Sequence, residues 1–298
     1  MSLLQSCGMQ LYATESPSQA AGIHEDFTAR AEFCAQLLSS QSTSLAEMGF
    51  NVFIHHSQTL ASTVLRDTFA ASALHAVRNP SNSRFVNAEI TQRAAQLVEA
   101  MQSESIGNDV AETDMLSSLQ ALLVYQCILL FSPGSISQQT QAERDNIVLQ
   151  SWAVRLQLFK SPHGDSEIEN TTWEAWVKQE AIRRTLICVE LVTGTYTYLR
   201  GLWPVGVQCH HDLSFTAQRR LWEAKSATEW RLIYEDISFP SLPTNMLRLD
   251  SDLEHASPSD LDDIGVLLRV AGKGFDNLKE WLSRDRRALQ RWGDVDLR

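Results

Sequence analysis

Residues 209–212, which read Cys-His-His-Asp, carry four side chains that could bind a metal ion. Adjacent side chains point in different directions on a helix or a strand, so this run cannot easily converge on one ion. His55 and His56 are adjacent in the same way. Neither this pair nor the pair His210 and His211 has the one-turn spacing of the two histidines in a metalloprotease helix. We therefore favour loop or capping roles for these side chains and assign no metal ligand.

Glu190 interrupts the apolar run 186–192, where an unpaired charge would be costly and the pKa of the carboxyl would be expected to rise. One interpretation is a buried general acid or base. The other is a structural carboxylate satisfied by an arginine of a neighbouring helix or by water, and we favour it. Arg183 lies two turns earlier on roughly the same face and is a candidate neighbour.

Five tryptophans between residues 173 and 230 could line an apolar ligand pocket, although helix-spaced tryptophans more often pack in the core. They are Trp173, Trp176, Trp203, Trp222 and Trp230. If this part of the chain binds a ligand, the candidate pocket consists of Glu190, Trp203, His210, His211 and Asp212. The sequence contains neither a nucleophile elbow nor a glycine-rich phosphate loop. No catalytic residue and no cofactor are therefore assigned.

The composition excludes several classes of protein. The 298 residues include 25 basic and 36 acidic side chains, giving a net charge of −11, which repels phosphate backbones. The longest apolar run, 119–131, is shorter than the roughly 20 residues that a bilayer span needs. The first residues lack the pattern of a secretory signal, and the five cysteines occur singly. We expect no nucleic-acid contact, membrane span, disulfide or zinc cluster.

Helical periodicity dominates the chain, which predicts an all-α fold with a single multi-helix globular domain over 24–292. We expect a flexible segment over 1–23 and a tail over 293–298. Capping boxes are expected to start helices at Ser44, at Thr171 and at Ser226, and Asp114 to cap the apolar helix. Residues 236–258 are expected to form a surface loop. Further helices are expected near 24–38, 58–77, 86–101, 148–159, 173–192 and 216–222, with one long helix over 261–282, bent at Gly272 and Gly274.

Several tracts together resemble the fungal-specific transcription factors. Residues 173–185 match the Trp-x-x-Trp and Glu-x-x-Arg-Arg signature of that family, and residues 213–224 contain its Leu-Trp-Glu-Ala block. Residues 53–58 and 141–144 are also similar to the family. The resemblance spans most of the chain, and the Leu-Trp-Glu-Ala block is its most specific part.

The resemblance implies an all-helical regulatory domain that, in the family, lies downstream of a DNA-binding binuclear zinc cluster with six cysteines. The sequence has no such cluster before residue 24, so we expect no direct DNA contact from this chain. The expected function is regulation of transcription in the nucleus, over a metabolic or secondary-metabolite gene cluster. One alternative is a transcription-factor-like scaffold that acts as a small-molecule binder or as an enzyme of a biosynthetic pathway. Another is a truncated product that competes for partners. Without the resemblance, the expected location is the cytoplasm.

The partners implied are proteins of the transcription machinery or a DNA-binding regulator, together with a small-molecule effector and a second copy of the chain. For the matched residues we expect mainly structural work, with Trp173, Trp176 and Trp222 as packing anchors and the Glu-x-x-Arg-Arg side chains as an interhelical polar clasp. These structural-motif residues are Trp173, Trp176, Glu180, Arg183, Arg184, Trp222, Glu223 and Trp230.

Overall fold

The computed structural model describes residues 17–104, 111–132, 134–158, 172–202, 213–236, 243–245, 248–254 and 256–292. These residues confirm the all-α fold, with one pair of two-residue strands beside the helices. The helices are α1 (Pro17–Met48), α2 (His56–Ala61), α3 (Thr63–Ala76), α4 (Ser83–Glu104), α5 (Glu112–Leu129), α6 (Ile136–Gln157), α7 (Trp173–Leu199), α8 (Arg219–Trp222), α9 (Ala227–Tyr234), α10 (Leu249–Leu253), α11 (Asp263–Lys273), α12 (Phe275–Leu282) and α13 (Arg286–Trp292).

The described residues group into two compact units. One is Leu38–Val192, and the other consists of the described residues before Leu38 and after Val192. The boundaries fall inside α1 and α7, the two longest helices of the described chain.

Helix α5 is the centre of the unit Leu38–Val192. Apart from Ser117, every side chain from Met115 to Leu129 is buried, and α3, α4 and α6 all pack against the helix. A helix covered on all sides needs no continuous polar face, which is why its buried residues are mostly apolar. Its first turn begins at Glu112 with Ala111 as the N-cap, so the expected cap at Asp114 is wrong.

In the other unit, α11 and α12 correct the expectation of one long helix over 261–282. Gly274 has φ +83°, a left-handed conformation that ends α11 and begins α12. A Cβ at this position would lie 2.6 Å from the guanidinium of Arg30, so the site favours glycine for two reasons. The Phe33 and Phe275 rings pack edge to face beside it, 5.6 Å between centroids.

A small antiparallel sheet lies in the tract with the Leu-Trp-Glu-Ala block. Strands β1 (Phe215–Thr216) and β2 (Pro243–Thr244) pair there, and the main-chain oxygen of Ala217 accepts a bond of 3.2 Å from Asp262 N. The helix expected over 216–222 is therefore only α8. The surface loop expected over 236–258 includes β2 and α10.

Several helix ends differ from the sequence prediction. Ser44 lies inside α1, so the expected capping box does not start a helix, and α1 already begins at Pro17. Helix α6 starts at a Ser135–Gln138 capping box, well before Val148. Ser226 does cap α9, accepting a bond of 3.2 Å from Glu229 N. Residues 1–16 and 293–298 lie outside the described residues, and so does Thr171, the expected cap of α7.

None of the described helices has both the length and the apolar character that a membrane span requires.

Candidate functional site

A loop at residues 49–55, called the buried loop here, joins α1 to α2 within the unit Leu38–Val192. The side chains of its last five residues are buried. Buried main-chain groups are costly unless they are hydrogen-bonded. Asn51 supplies part of this pairing, because its Oδ1 accepts from Phe53 N at 3.0 Å and from Ile54 N at 2.8 Å.

Three helices, α1, α5 and α7, supply further partners to the buried loop. Gln41 Oε1 on α1 accepts from Val52 N at 3.3 Å. Gln120 Nε2 on α5 donates to the Phe53 main-chain oxygen at 2.6 Å, and Arg184 Nη1 on α7 donates to the Val52 oxygen at 3.0 Å. The irregular backbone of this loop can therefore lie in the core, because polar side chains from distant parts of the chain form hydrogen bonds with its main-chain groups.

The polar clasp, formed by Glu180, Arg183 and Arg184, lies next to this loop. Its ion pairs are all within α7, so the expectation of an interhelical clasp is wrong, and the clasp reaches the loop through Arg184. Glu180 and Arg184 have fully buried side chains, and Arg184 Nε donates to Glu180 Oε1 at 2.7 Å. Arg183 donates to Glu180 Oε2 from Nη2 at 2.7 Å and from Nε at 3.1 Å. Both carboxylate oxygens thus accept from guanidinium groups, the arrangement in which a buried charge is tolerated.

His55 and His56 pack with Trp173 at the end of the buried loop. The two histidine rings are 4.0 Å apart between centroids, and the His55 ring meets the Trp173 ring edge to face at 5.7 Å. His55 caps α2, since its Nδ1 accepts from Ser57 N at 3.2 Å, while Gln58 Oε1 accepts from His55 N at 2.9 Å. The expected capping role is therefore present for His55.

Within the described residues, no three histidine, cysteine, aspartate or glutamate side chains are grouped as metal ligands.

The sequence-predicted residues are distributed over both units. The buried loop and the clasp bring together two of the tracts that carry the family resemblance, 53–58 and 173–185. Trp222 and Trp230 are buried in the other unit, where Glu223 accepts from Arg219 at 3.3 Å. Trp176 is buried as well, and Trp173 is half-buried.

The candidate pocket is not tested by the structure. Glu190 is buried on α7, 7% exposed. The other four members, Trp203, His210, His211 and Asp212, lie outside the described residues, so the pocket stays a prediction.

An open cleft between α3, α4 and α5 was not anticipated from the sequence. Its volume is about 360 Å3, within the range of small-molecule sites. Its lining consists of Val64, Asp67, Glu89, Arg93, Gln96, Leu97 and Tyr125. The positions on α4 recur in steps of three and four, which places them on one face, but their partners on α3 and α5 come from distant segments.

Arg93 connects two of the helices that form the cleft. Its Nε donates to Glu89 Oε1 at 2.8 Å, and its Nη1 donates to the Asp67 main-chain oxygen at 3.2 Å, so one side chain joins α3 to α4. The carboxylate of Glu89 raises the pKa of Arg93 above its ordinary value, chiefly through the hydrogen bond between them. Burial raises the pKa of Tyr125, whose hydroxyl lies 3.5 Å from Thr68 Oγ1.

One curated relative of the chain is a protein named Transcription factor gsfR2, from Penicillium aethiopicum. It is 32% identical over 284 residues, which make up 90% of this chain and 66% of the relative. The chain therefore spans a little under two thirds of the relative's length. No family model matches the chain, and no solved structure matches it. The chain is thus a homologue of a fungal protein named as a transcription factor.

Proposed function

We propose, from this homology, that the chain is the regulatory part of a transcription regulator and acts in the nucleus. The observation that carries the proposal is the 32% identity over 90% of the chain, which is too extensive to come from one shared motif. The finer proposal, from the resemblance in sequence, is that its targets form a metabolic or secondary-metabolite gene cluster of a fungus.

Its charge supports action through proteins or a small molecule rather than through a phosphate backbone. A net charge of −11 disfavours non-specific attraction to DNA. The most basic stretch includes Arg291, whose Nη2 donates to Asp263 Oδ1 at 2.6 Å, so part of its charge is neutralised within the fold. The proposed partners are a DNA-binding regulator or the transcription machinery.

The test is a tethering experiment. The full chain is fused to a heterologous DNA-binding domain in a fungal host, and a reporter carrying that domain's operator is measured. We expect the fusion to raise or lower the reporter several-fold relative to the tethering domain alone, and we expect deletion of the gene to change a clustered set of transcripts. Unchanged reporter activity together with unchanged transcripts would contradict the proposal.

Direct DNA contact is tested separately with the purified chain. An electrophoretic shift assay at physiological salt uses promoter fragments of the genes that respond to deletion. We expect no sequence-specific shift. A specific complex would overturn the proposal that the chain acts through a partner, while leaving its role in transcription intact.

A second candidate function is small-molecule binding by a transcription-factor-like scaffold, and the cleft of about 360 Å3 favours it. Metabolite profiles of a deletion strain separate it from the first candidate. A regulator changes transcripts and metabolites together, whereas an enzyme or carrier changes metabolites while the transcripts of neighbouring genes stay constant.

A further inference from the structure

We propose that the cleft between α3, α4 and α5 binds a small organic cation, a protonated amine carried on an apolar or aromatic body. The role of such a ligand as an effector rests on the proposed regulatory function, whereas its binding to the cleft does not. The inference starts from the mixed lining of the cleft, in which charged groups and apolar side chains face the same space.

The charges of the lining favour a cation. Two carboxylates, Asp67 and Glu89, share the cleft with one guanidinium, that of Arg93. Arg93 is already engaged by Glu89 and by the Asp67 main-chain oxygen. Among the described residues, the exposed carboxylate of Asp67 forms no salt bridge, although its charge contributes to the raised pKa of Arg93. The lining therefore carries one negative charge in excess, which a ligand with one positive charge would neutralise.

The same charges disfavour an anion. A ligand carboxylate that approached Arg93 would compete with Glu89 for the guanidinium and would lie near two carboxylates. The net charge of −11 on the whole chain adds to that repulsion.

The apolar part of the ligand has its own surfaces in the cleft. Val64 on α3 and Leu97 on α4 are both half-buried, and Tyr125 on α5 is only 3% exposed. Burying an apolar body against such side chains supplies non-directional affinity, while a charged group fixes its orientation.

The experiment compares three probes of nearly equal size on the purified 298-residue chain by calorimetry and by ligand-induced shift of the Tm. The probes are 2-phenylethylamine, phenylacetate and 2-phenylethanol, which are positive, negative and neutral at pH 7. We expect saturable binding of the amine, about tenfold tighter than that of the neutral alcohol, and weaker binding at high salt. No saturable binding of the amine, or tighter binding of phenylacetate, would overturn the proposal.

Two variants assign the binding to this cleft. D67N removes the unpaired carboxylate and should weaken amine binding about fivefold, without a matching change for the alcohol. L97W should fill the cleft and weaken both probes. The matched control is E99Q, which removes an exposed carboxylate on α4 outside the lining. Equal loss in D67N and E99Q would show that overall charge attracts the amine, and would overturn the site.

Failure of this inference is distinguishable from failure of the proposed function. The probes bind or do not bind in a solution that contains no DNA and no partner. If the chain regulates a tethered reporter but does not bind the amine, only the proposal of the ligand site is contradicted. If the chain binds the amine but both the reporter and the transcripts stay unchanged, the regulatory proposal is contradicted and the ligand site is kept.

Discussion

Arg184 on α7 donates a hydrogen bond to the main-chain oxygen of Val52 at 3.0 Å, although 132 positions separate the two residues. The same guanidinium donates to Glu180 at 2.7 Å. One buried side chain therefore neutralises a carboxylate and satisfies the backbone of the buried loop.

We expect R184A to lower the free energy of unfolding by about 3–5 kcal/mol, because it leaves the Glu180 carboxylate with one guanidinium and the Val52 oxygen without its donor. The measurement is denaturant unfolding followed by circular dichroism. R183A is the matched control, since Arg183 is partly exposed and pairs only with the other carboxylate oxygen. It should cost about 1 kcal/mol, and equal losses in the two variants would refute the special role of Arg184.

The existence of most helices could be predicted from the sequence, because apolar side chains repeat at the helical period. Their ends could not. The apolar repeat continues through Gly274, and only the left-handed conformation of that glycine divides α11 from α12. Conversely, Ser44 and Glu47 have the spacing of a capping box but lie within α1, because the preceding turns are helical as well.

The ion pairing in the polar clasp could be predicted from the sequence, but its burial could not. Glu180 and Arg184 are four residues apart, so their ion pair follows from helix geometry. Its burial does not follow, because it depends on the buried loop, a segment far away in the sequence. The cleft was beyond prediction for the same reason, since Asp67, Arg93 and Tyr125 come from three different helices.

A second prediction concerns Asp145 on α6, which is 2% exposed. Gln141 Nε2 donates to its Oδ1 at 2.8 Å, but Oδ2 has no hydrogen-bond partner among the described residues. Burial raises the pKa of this carboxyl above its ordinary value of 3.8. The folded chain then holds the proton more tightly than the unfolded chain, so stability falls as pH rises from 3.8 through the folded-state pKa.

We expect D145N, which cannot ionise, to be more stable than the wild type at pH 7 by about 1 kcal/mol. Near pH 3, where the wild-type carboxyl is protonated in both states, the two should unfold alike. Unfolding curves at both pH values make the comparison, with D67N as the control at an exposed aspartate. A constant difference at both pH values would mean that ionisation of Asp145 is not the cause.

The third prediction compares substitutions of two glutamines in α5. Both are fully buried, but Gln120 donates to the Phe53 oxygen at 2.6 Å, whereas neither amide atom of Gln126 has a hydrogen-bond partner among the described residues. Methionine has a similar length and no strong polar group. We expect Q126M to stabilise the fold by about 1 kcal/mol and Q120M to destabilise it by about 1–3 kcal/mol. The check is the Tm of each variant, and a shift of the same sign in both would contradict the pairing described for α5.

The last prediction concerns two glycines in helices, for which replacement by alanine should have opposite effects. Alanine favours the helical conformation over glycine by about 0.5–1 kcal/mol, and a Cβ on Gly194 in α7 would meet no atom within 4 Å. G194A should therefore be stabilising by about that amount. A Cβ on Gly265 in α11 would contact Leu261 Cδ1 and lie 2.7 Å from its Cγ, and that leucine is only 3% exposed.

Because Leu261 cannot move out of its buried position without disturbing its neighbours, G265A should lose about 1–3 kcal/mol despite the gain in helix propensity. Denaturant unfolding of the two variants side by side measures both effects. L261A in the G265A background supplies the further control, since it removes the contacted atoms and should make the alanine at position 265 less costly than it is beside the native leucine. If the cost of G265A were unchanged in that background, the close approach to Leu261 would not be its origin.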